Sequence, residues 1–351
     1  MTSAATQRRR GNAVRDGGTT TVERAERESR VELVPKRKLQ IFSGRCNLPL
    51  AEEVASCLGV QLGEANLVDF ANGEIRPRYG PSIRGSDVFI FQTHGSPVNT
   101  SIMEHLIMID AAKRASAKRI TAVCPSYGYA RQDRKAEGRE PITAKLVADM
   151  LTSAGADRVV SIDLHSGQIQ GFFNIPFDHL TAMPVLVEYL RKLNSPDLVV
   201  VSPDTGRVKV AERFAKAINA DVASIYKRRA RGKVNVVEAR DVMGDVEGRP
   251  CALIDDMIDT AGTICAAAEI LFERGASDVI ALATHGVLSD PALERLEASP
   301  ISKLVVTNTL PQPRLLQKME VLSVAPIIAA AIDAVFEDTS VSEIFGGENL
   351  S

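Results

Sequence analysis

Tryptophan is absent from the chain, and aromatic residues of all kinds make up only 5% of it. A core built around large rings is therefore excluded, and aliphatic side chains must fill it. Cysteine is scarce too: Cys46, Cys57, Cys124, Cys251 and Cys265 are scattered, with no CxxC pair. An odd count without close spacing excludes a disulfide scaffold and a zinc ribbon, and fits a reducing, cytoplasmic setting. No apolar run reaches the roughly 18 residues of a membrane helix. The best candidate, from Val321 to Phe336, is broken by Pro326 and Asp333, so no membrane partner is expected. Neither sign of charge dominates, since 42 basic and 44 acidic residues leave a formal net charge of -2. With 45% hydrophobic and 25% charged residues, the composition excludes disorder throughout.

What is present begins with length, because 351 residues exceed one ordinary domain and predict two. Residues 1–38 hold ten Lys or Arg against five Asp or Glu and no aromatic residue. Such a stretch buries too little apolar surface to offset its ordering entropy, so a disordered basic tail is predicted. The interspersed acids argue against a nucleic-acid-binding arm and against an acid-poor transit peptide.

From Leu39 onward, short apolar runs such as DVFIFQT, RITAVCP and LVVVSP alternate with stretches of helical period such as SIMEHLIMIDAAKRA and TICAAAEILFERGA. This βα repeat predicts an α/β fold of doubly wound, mainly parallel sheets covered on both faces. The pattern also repeats internally. Residues 87–125 can be laid against 250–286, and both read as strand, loop, helix, turn, strand. Two similar domains follow, 39–181 and 182–340, with 341–351 a candidate to complete the first. The copies differ where it matters. Asp255, Asp256 and Asp259 of the second face Gln92, Thr93 and Ser96 of the first.

The strongest local signal is CALIDDMIDTAGT, residues 251–263. It reads as a buried strand with two carboxylates at its C-terminal end, where ligands bind in open α/β sheets. A small-residue loop then opens a helix. Asp259, Thr260, Ala261, Gly262 and Thr263 offer backbone N–H groups and hydroxyls at a helix N-terminus, a cradle for phosphate. Asp255 and Asp256 repel phosphate and suit a sugar diol, or a cation held against one. Together these features describe a ribose phosphate site.

This stretch resembles the ribose-phosphate motif of the type I phosphoribosyltransferase fold. Six further motifs, DFANGEIRPR, GYARQDRK, PITAKLVADML, DLHSGQIQGFF, SPDTGR and YKRR, stand in the order seen in ribose-phosphate diphosphokinases. The resemblance runs from about Leu39 to near the C-terminus. It implies transfer of diphosphate from magnesium-ATP to ribose 5-phosphate. ATP would be bound in the first domain by Phe70, Asn72, Glu74, Arg131 and Gln132. A ring face and amide and carboxylate groups suit a purine, and a guanidinium suits phosphate oxygens. Ribose 5-phosphate would be bound by Arg229 and by residues Asp255, Asp256 and Asp259 to Thr263.

The resemblance further assigns a magnesium ion to His165 and Asp204, which both follow strand-like runs. Catalysis falls to Lys227 and Arg229 in the basic segment YKRRARGK, since transferred phosphoryl oxygens need positive charge in the transition state. By resemblance, too, the chain forms a homo-oligomer, commonly a hexamer, with phosphate as activator. Ser82, Arg84, Arg139, Ser340 and Ser342 match positions associated with phosphate and ADP regulation. Two other readings remain open at this stage. A phosphoribosyltransferase shares the 251–263 motif but normally needs one such domain, and a non-catalytic regulatory homologue would keep the fold while losing catalytic groups. This chain departs from the family pattern at Ser126, where tyrosine is usual, and at Arg207, where a second glycine usually follows Ser-Pro-Asp.

Overall fold

The structure is a computed structural model that describes residues 37–228 and 239–345; side chains of 227, 228, 239 and 240 are outside the description. Most of the predicted tail, Arg229, the Lys227 side chain and residues 346–351 therefore lie outside the described residues.

Two sheets carry the fold. In the first, β1 (Leu39–Ser43), β4 (Asp87–Phe91), β5 (Arg119–Cys124), β6 (Arg158–Ile162) and β7 (Phe177–Leu180) pair in that order, all parallel. Strands β2 (Ala65–Asp69) and β3 (Ile75–Tyr79) form a separate antiparallel hairpin. The second sheet contains β8 (Val199–Ser202), β9 (Asp221–Arg228), β10 (Ala239–Met243), β11 (Pro250–Ile258), β12 (Asp278–Gly286), β13 (Lys303–Thr307) and β14 (Met319–Leu322). Its spatial order is β10-β9-β8-β11-β12-β13-β14, and only the β10–β9 pair is antiparallel.

Strands buried on both faces need apolar residues at every position, which is why these runs do not alternate with polar ones. In β4, Val88 and Ile90 face one side, with α2 (Val98–Arg114) and α3 (Thr143–Ala154). Phe89 and Phe91 face the other, with α1 (Leu48–Cys57). The second sheet divides likewise. Leu253 of β11 packs with α6 (Gly262–Glu273) and α7 (Ala292–Ala298), whereas Ala252 and Ile254 pack with α4 (Met183–Leu193) and α5 (Val208–Ile218). Fully burying each Val, Leu or Ile contributes about 1.5–3 kcal/mol, so both helical layers are firmly held.

The chain returns to the first sheet earlier than the sequence suggested. Helix α8 (Ala325–Phe336) packs against α1 and joins the cluster of Ile41, Leu50, Phe91 and Val160. The boundary expected at 340 thus falls within a segment already packed on the first sheet from Val324 onward. The same segment held the longest apolar run, and burial against that sheet accounts for its character. No helix among the described residues is long and apolar enough to cross a membrane.

Candidate active site

Strand order in the second sheet reverses at β8 and β11, since β9 lies outside one and β12 outside the other. A crevice opens at the C-terminal ends of strands at such a point. The loop after β8 supplies Asp204 and Arg207, and the end of β11 supplies Asp255 and Asp256. The loop after β6 of the first sheet brings in His165.

His165 and Arg207 meet at Asp256, whose side chain is only 6% exposed. Its Oδ2 lies 2.7 Å from His165 Nδ1 and 2.6 Å from an Arg207 nitrogen. A proton on Nδ1 directed at the carboxylate leaves His165 Nε2 open to a ligand. Asp204 Oδ1 accepts the backbone N–H groups of Gly206 and Arg207 at 2.8 and 3.1 Å, which leaves Oδ2 for other use. Burial and the neighbouring Asp256 carboxylate push Asp255 up to about 8. Burial also works against the Asp256 charge, but the His165 hydrogen bond and Arg207 outweigh it and hold that carboxyl below its usual range. Asp256 is therefore the ionised member of the pair.

His165 is held in place from the second sheet. Asp163, with φ at +38°, accepts the Thr284 hydroxyl at 2.6 Å and the Ala182 N–H at 2.9 Å. His285 Nε2 lies 3.1 Å from the carbonyls of Ile162 and Asp163. His179 Nε2 accepts the Leu164 N–H at 2.9 Å. Sequence reasoning missed Asp163, Thr284 and His285, although Asp163 stands within the DLH motif that it singled out.

Beyond β11, Ala261 with φ at +60° makes a left-handed turn directly before α6. Thr260, Gly262 and Thr263 are exposed there. Arg295 donates to the Thr260 carbonyl at 2.9 Å. No local motif signalled this arginine beside the cradle. Arg131 pairs with Asp259 at 2.6 Å, which joins a predicted nucleotide residue to the predicted ribose-phosphate loop. A cleft of about 930 Å³ lies along these loops, lined by His94, Tyr129, Arg131, Gln132, Asp259 and Gln312 among others. That is the size of a small-molecule site.

The other predicted residues are placed differently. Phe70, Asn72 and Glu74 sit at the tip of the β2–β3 hairpin, and none lines the cleft. Phe70 is 45% exposed, with the Arg76 guanidinium 5.6 Å from its ring centre. Asn72 Oδ1 accepts the Glu74 N–H at 3.2 Å. Among the described residues, no hydrogen bond or ion pair joins Ser82, Arg84, Arg139, Ser340 and Ser342 into one site beyond the Ser340–Ser342 contact at 2.9 Å. All five are exposed.

At the cleft wall, His94 forms a buried group of candidate metal donors with His105 and Cys124 behind it. The hydrogen bonds argue otherwise. Gly128 N–H donates to His94 Nδ1 at 3.1 Å, so His94 carries its proton on Nε2 and donates to His105 Nδ1, also at 3.1 Å. His105 Nε2–H in turn meets the Ile90 carbonyl at 3.1 Å. With every ring nitrogen engaged, this is a satisfied relay between neutral rings. Burial pushes His105 down to about 4 and His94 further below its usual value.

Parallel sheets, a crevice at the switch point, paired carboxylates and a helix-opening cradle define an α/β enzyme of the type I phosphoribosyltransferase fold. The profile for the N-terminal domain of ribose phosphate pyrophosphokinase matches residues 39–155, and that for the phosphoribosyl synthetase-associated domain matches 234–346. The chain is 54% identical over 318 residues to a ribose-phosphate pyrophosphokinase of Streptomyces avermitilis, covering 90% of this chain and 98% of that one. It is 53% identical over 316 residues to one of Clostridium acetobutylicum, covering 89% and 98%. The crystal structure of phosphoribosylpyrophosphate synthetase from Mycobacterium smegmatis superposes with a TM-score of 0.81 at 51% identity, over 86% of this chain and 100% of that one. The chain belongs to the ribose-phosphate pyrophosphokinase family.

Proposed function

We propose that this chain transfers diphosphate from ATP to ribose 5-phosphate, giving 5-phosphoribosyl 1-diphosphate and AMP for nucleotide biosynthesis in the cytoplasm. The observation that carries this reading is the pairing of Asp255 and Asp256 with a helix-opening phosphate cradle at the strand switch point. The anomeric oxygen forms a bond to the β-phosphorus of ATP, and the bond from that phosphorus to the α–β bridging oxygen breaks. AMP leaves, and the hydroxyl proton passes to solvent. Asp255 and Asp256 hold the sugar hydroxyls, and the loop from Asp259 to Thr263 holds the 5-phosphate. In this division residues 39–181, with the returning segment from Val324 packed on their sheet, serve ATP, and the second sheet and its loops serve the sugar.

Arg131 and Gln132 meet the nucleotide phosphates from the cleft, and the hairpin tip offers Phe70, Asn72 and Glu74 to adenine. Lys227 and Arg229 place positive charge on the transferring group. Magnesium fits the remaining donors, because one imidazole nitrogen of His165 and one carboxylate oxygen of Asp204 are open beside Arg207. Bound there with phosphate oxygens and water, it would neutralise charge on the phosphates. The assembly is a homo-oligomer, a hexamer, with phosphate as activator.

The test is product analysis with the purified chain, ATP and ribose 5-phosphate. Equimolar AMP and 5-phosphoribosyl 1-diphosphate are expected. In a parallel assay, formation of a nucleotide and free diphosphate from 5-phosphoribosyl 1-diphosphate and a purine base, with no AMP from ATP and ribose 5-phosphate, would instead indicate a phosphoribosyltransferase, and no reaction in either assay would indicate a non-catalytic homologue.

A further inference from the structure

Arg207 has no part in the reaction as described, yet its side chain reaches the centre of the site. Its Nη2 lies 2.6 Å from Asp256 Oδ2, 3.1 Å from His165 Nδ1 and 3.2 Å from the His165 carbonyl. Its Nε lies 3.8 Å from Asp255 Oδ1. The backbone N–H of the same residue donates to Asp204 Oδ1 at 3.1 Å. One residue thus touches both proposed metal ligands and both sugar-side carboxylates. Its side chain is 19% exposed, so this is no solvated surface arginine.

Local structure does not demand that side chain. Arg207 precedes α5 and its carbonyl receives the first helical hydrogen bonds, from Val210 and Ala211, a backbone role that glycine could fill. What the side chain adds is charge. A buried, ionised Asp256 beside a second carboxyl group requires a compensating cation, supplied either by a bound ion or by a side chain. A guanidinium is permanently charged, and its planar fork suits carboxylates. At 2.6 Å from Asp256 it stands where an ion coordinating that oxygen would have to approach, and like charges repel strongly at such range. A cavity of about 120 Å³ adjoins Asp163, His165, Arg207, Asp255, Asp256 and Thr284. A water takes about 30 Å³, so there is room beside the carboxylates for a partly hydrated ion once the guanidinium is gone.

We propose that Arg207 is a resident cation of this site, a positioning residue that takes the seat of a second divalent ion at Asp255 and Asp256. The enzyme then needs only the divalent ion that accompanies the nucleotide. The inference rests on the function proposed above, but its principal readout does not require turnover.

The experiment counts Mn²⁺ bound to the full-length, substrate-free protein by electron paramagnetic resonance, for wild type, Arg207→Gly, Arg207→Gln and Arg207→Lys. Thermal melting checks that each variant is folded. The Gly and Gln variants should bind one more ion per chain than wild type, or bind it about tenfold more tightly. The Lys variant, which keeps the charge, should retain the wild-type count. At fixed magnesium-ATP, the Gln variant's rate should also rise with free magnesium where the wild-type rate does not. Should the Gly variant fail to fold, the Gln variant, with similar reach and no charge, provides the same comparison. Equal Mn²⁺ counts and affinities in wild type and the Gln variant would overturn the proposal, as would a Lys variant that behaves like Gln. A wild-type protein that forms no AMP would defeat the proposed function instead, and the ion count would still decide the role of Arg207.

Discussion

Replacing Asp256 by Asn tests the sugar side of the site most directly. The carboxylate is 6% exposed, and one oxygen serves both His165 at 2.7 Å and Arg207 at 2.6 Å. The amide keeps the shape and removes the charge. A hydrogen bond to a charged group contributes about 1.5–3 kcal/mol. Losing one such bond to a ribose hydroxyl should raise the KM for ribose 5-phosphate roughly tenfold to a hundredfold, since about 1.4 kcal/mol is a factor of ten. ATP meets this carboxyl only through His165, whose Nδ1 hydrogen bond the Asn side-chain oxygen can still accept, so its KM should change by less than about threefold. The folded state should lose less than the 3–5 kcal/mol that an orphaned buried charge costs, roughly 1–3 kcal/mol. The reason is that Arg207 retains Asp255 at 3.8 Å. Initial rates of AMP release, with each substrate varied in turn, measure both constants. An equal rise in the two, or a rise confined to ATP, would refute the assignment.

Removing the Phe70 ring should weaken ATP binding about tenfold or more in calorimetry, the effect of roughly 1–3 kcal/mol of base stacking, while ribose 5-phosphate binding stays near normal; the reverse pattern would contradict the hairpin's role. Lys227→Ala should lower turnover on the order of a hundredfold to a thousandfold with only modest changes in KM, and near-normal turnover would count against a catalytic lysine. Because burial pushes His105 down to about 4, the unfolded chain takes up a proton near pH 6.5 that the folded chain resists. Stability from this residue is therefore fully present above about 6.5 and is lost as pH falls toward 4, by about 3 kcal/mol. His105→Gln keeps an acceptor for His94 without titrating, so its urea-unfolding free energy should fall less steeply over that range; an unchanged slope would remove the prediction. Arg84→Ala should blunt the response to phosphate and ADP, and an intact response would remove Arg84 from any regulatory site.

Strand and helix alternation was legible from the sequence because burial on two faces writes an apolar residue at every strand position, and amphipathic helices write their own period. The 251–263 segment stood out for a related reason: its carboxylates and its small-residue loop are neighbours along the chain, so one stretch carries every group of the proposed device. The reach of the family resemblance likewise followed from motifs that are each contiguous. Tertiary structure alone decided what those motifs touch. Asp256 meets His165 from 91 residues away, and Arg131 meets Asp259 across 128. Such pairings arise from how sheets pack, which local periodicity does not encode. The apolar pattern of α8 announced burial but not the face that buries it, and only packing placed it on the first sheet. Two buried residues outside any common motif, His94 and His105, became a hydrogen-bonded relay only when a strand, a helix and a loop converged. Arg207 read as an irregularity in a loop, and its significance appeared once folding set its charge between two carboxylates and a histidine. Chain neighbours share chemistry through covalent geometry, whereas distant residues do so only through the packing of the whole molecule.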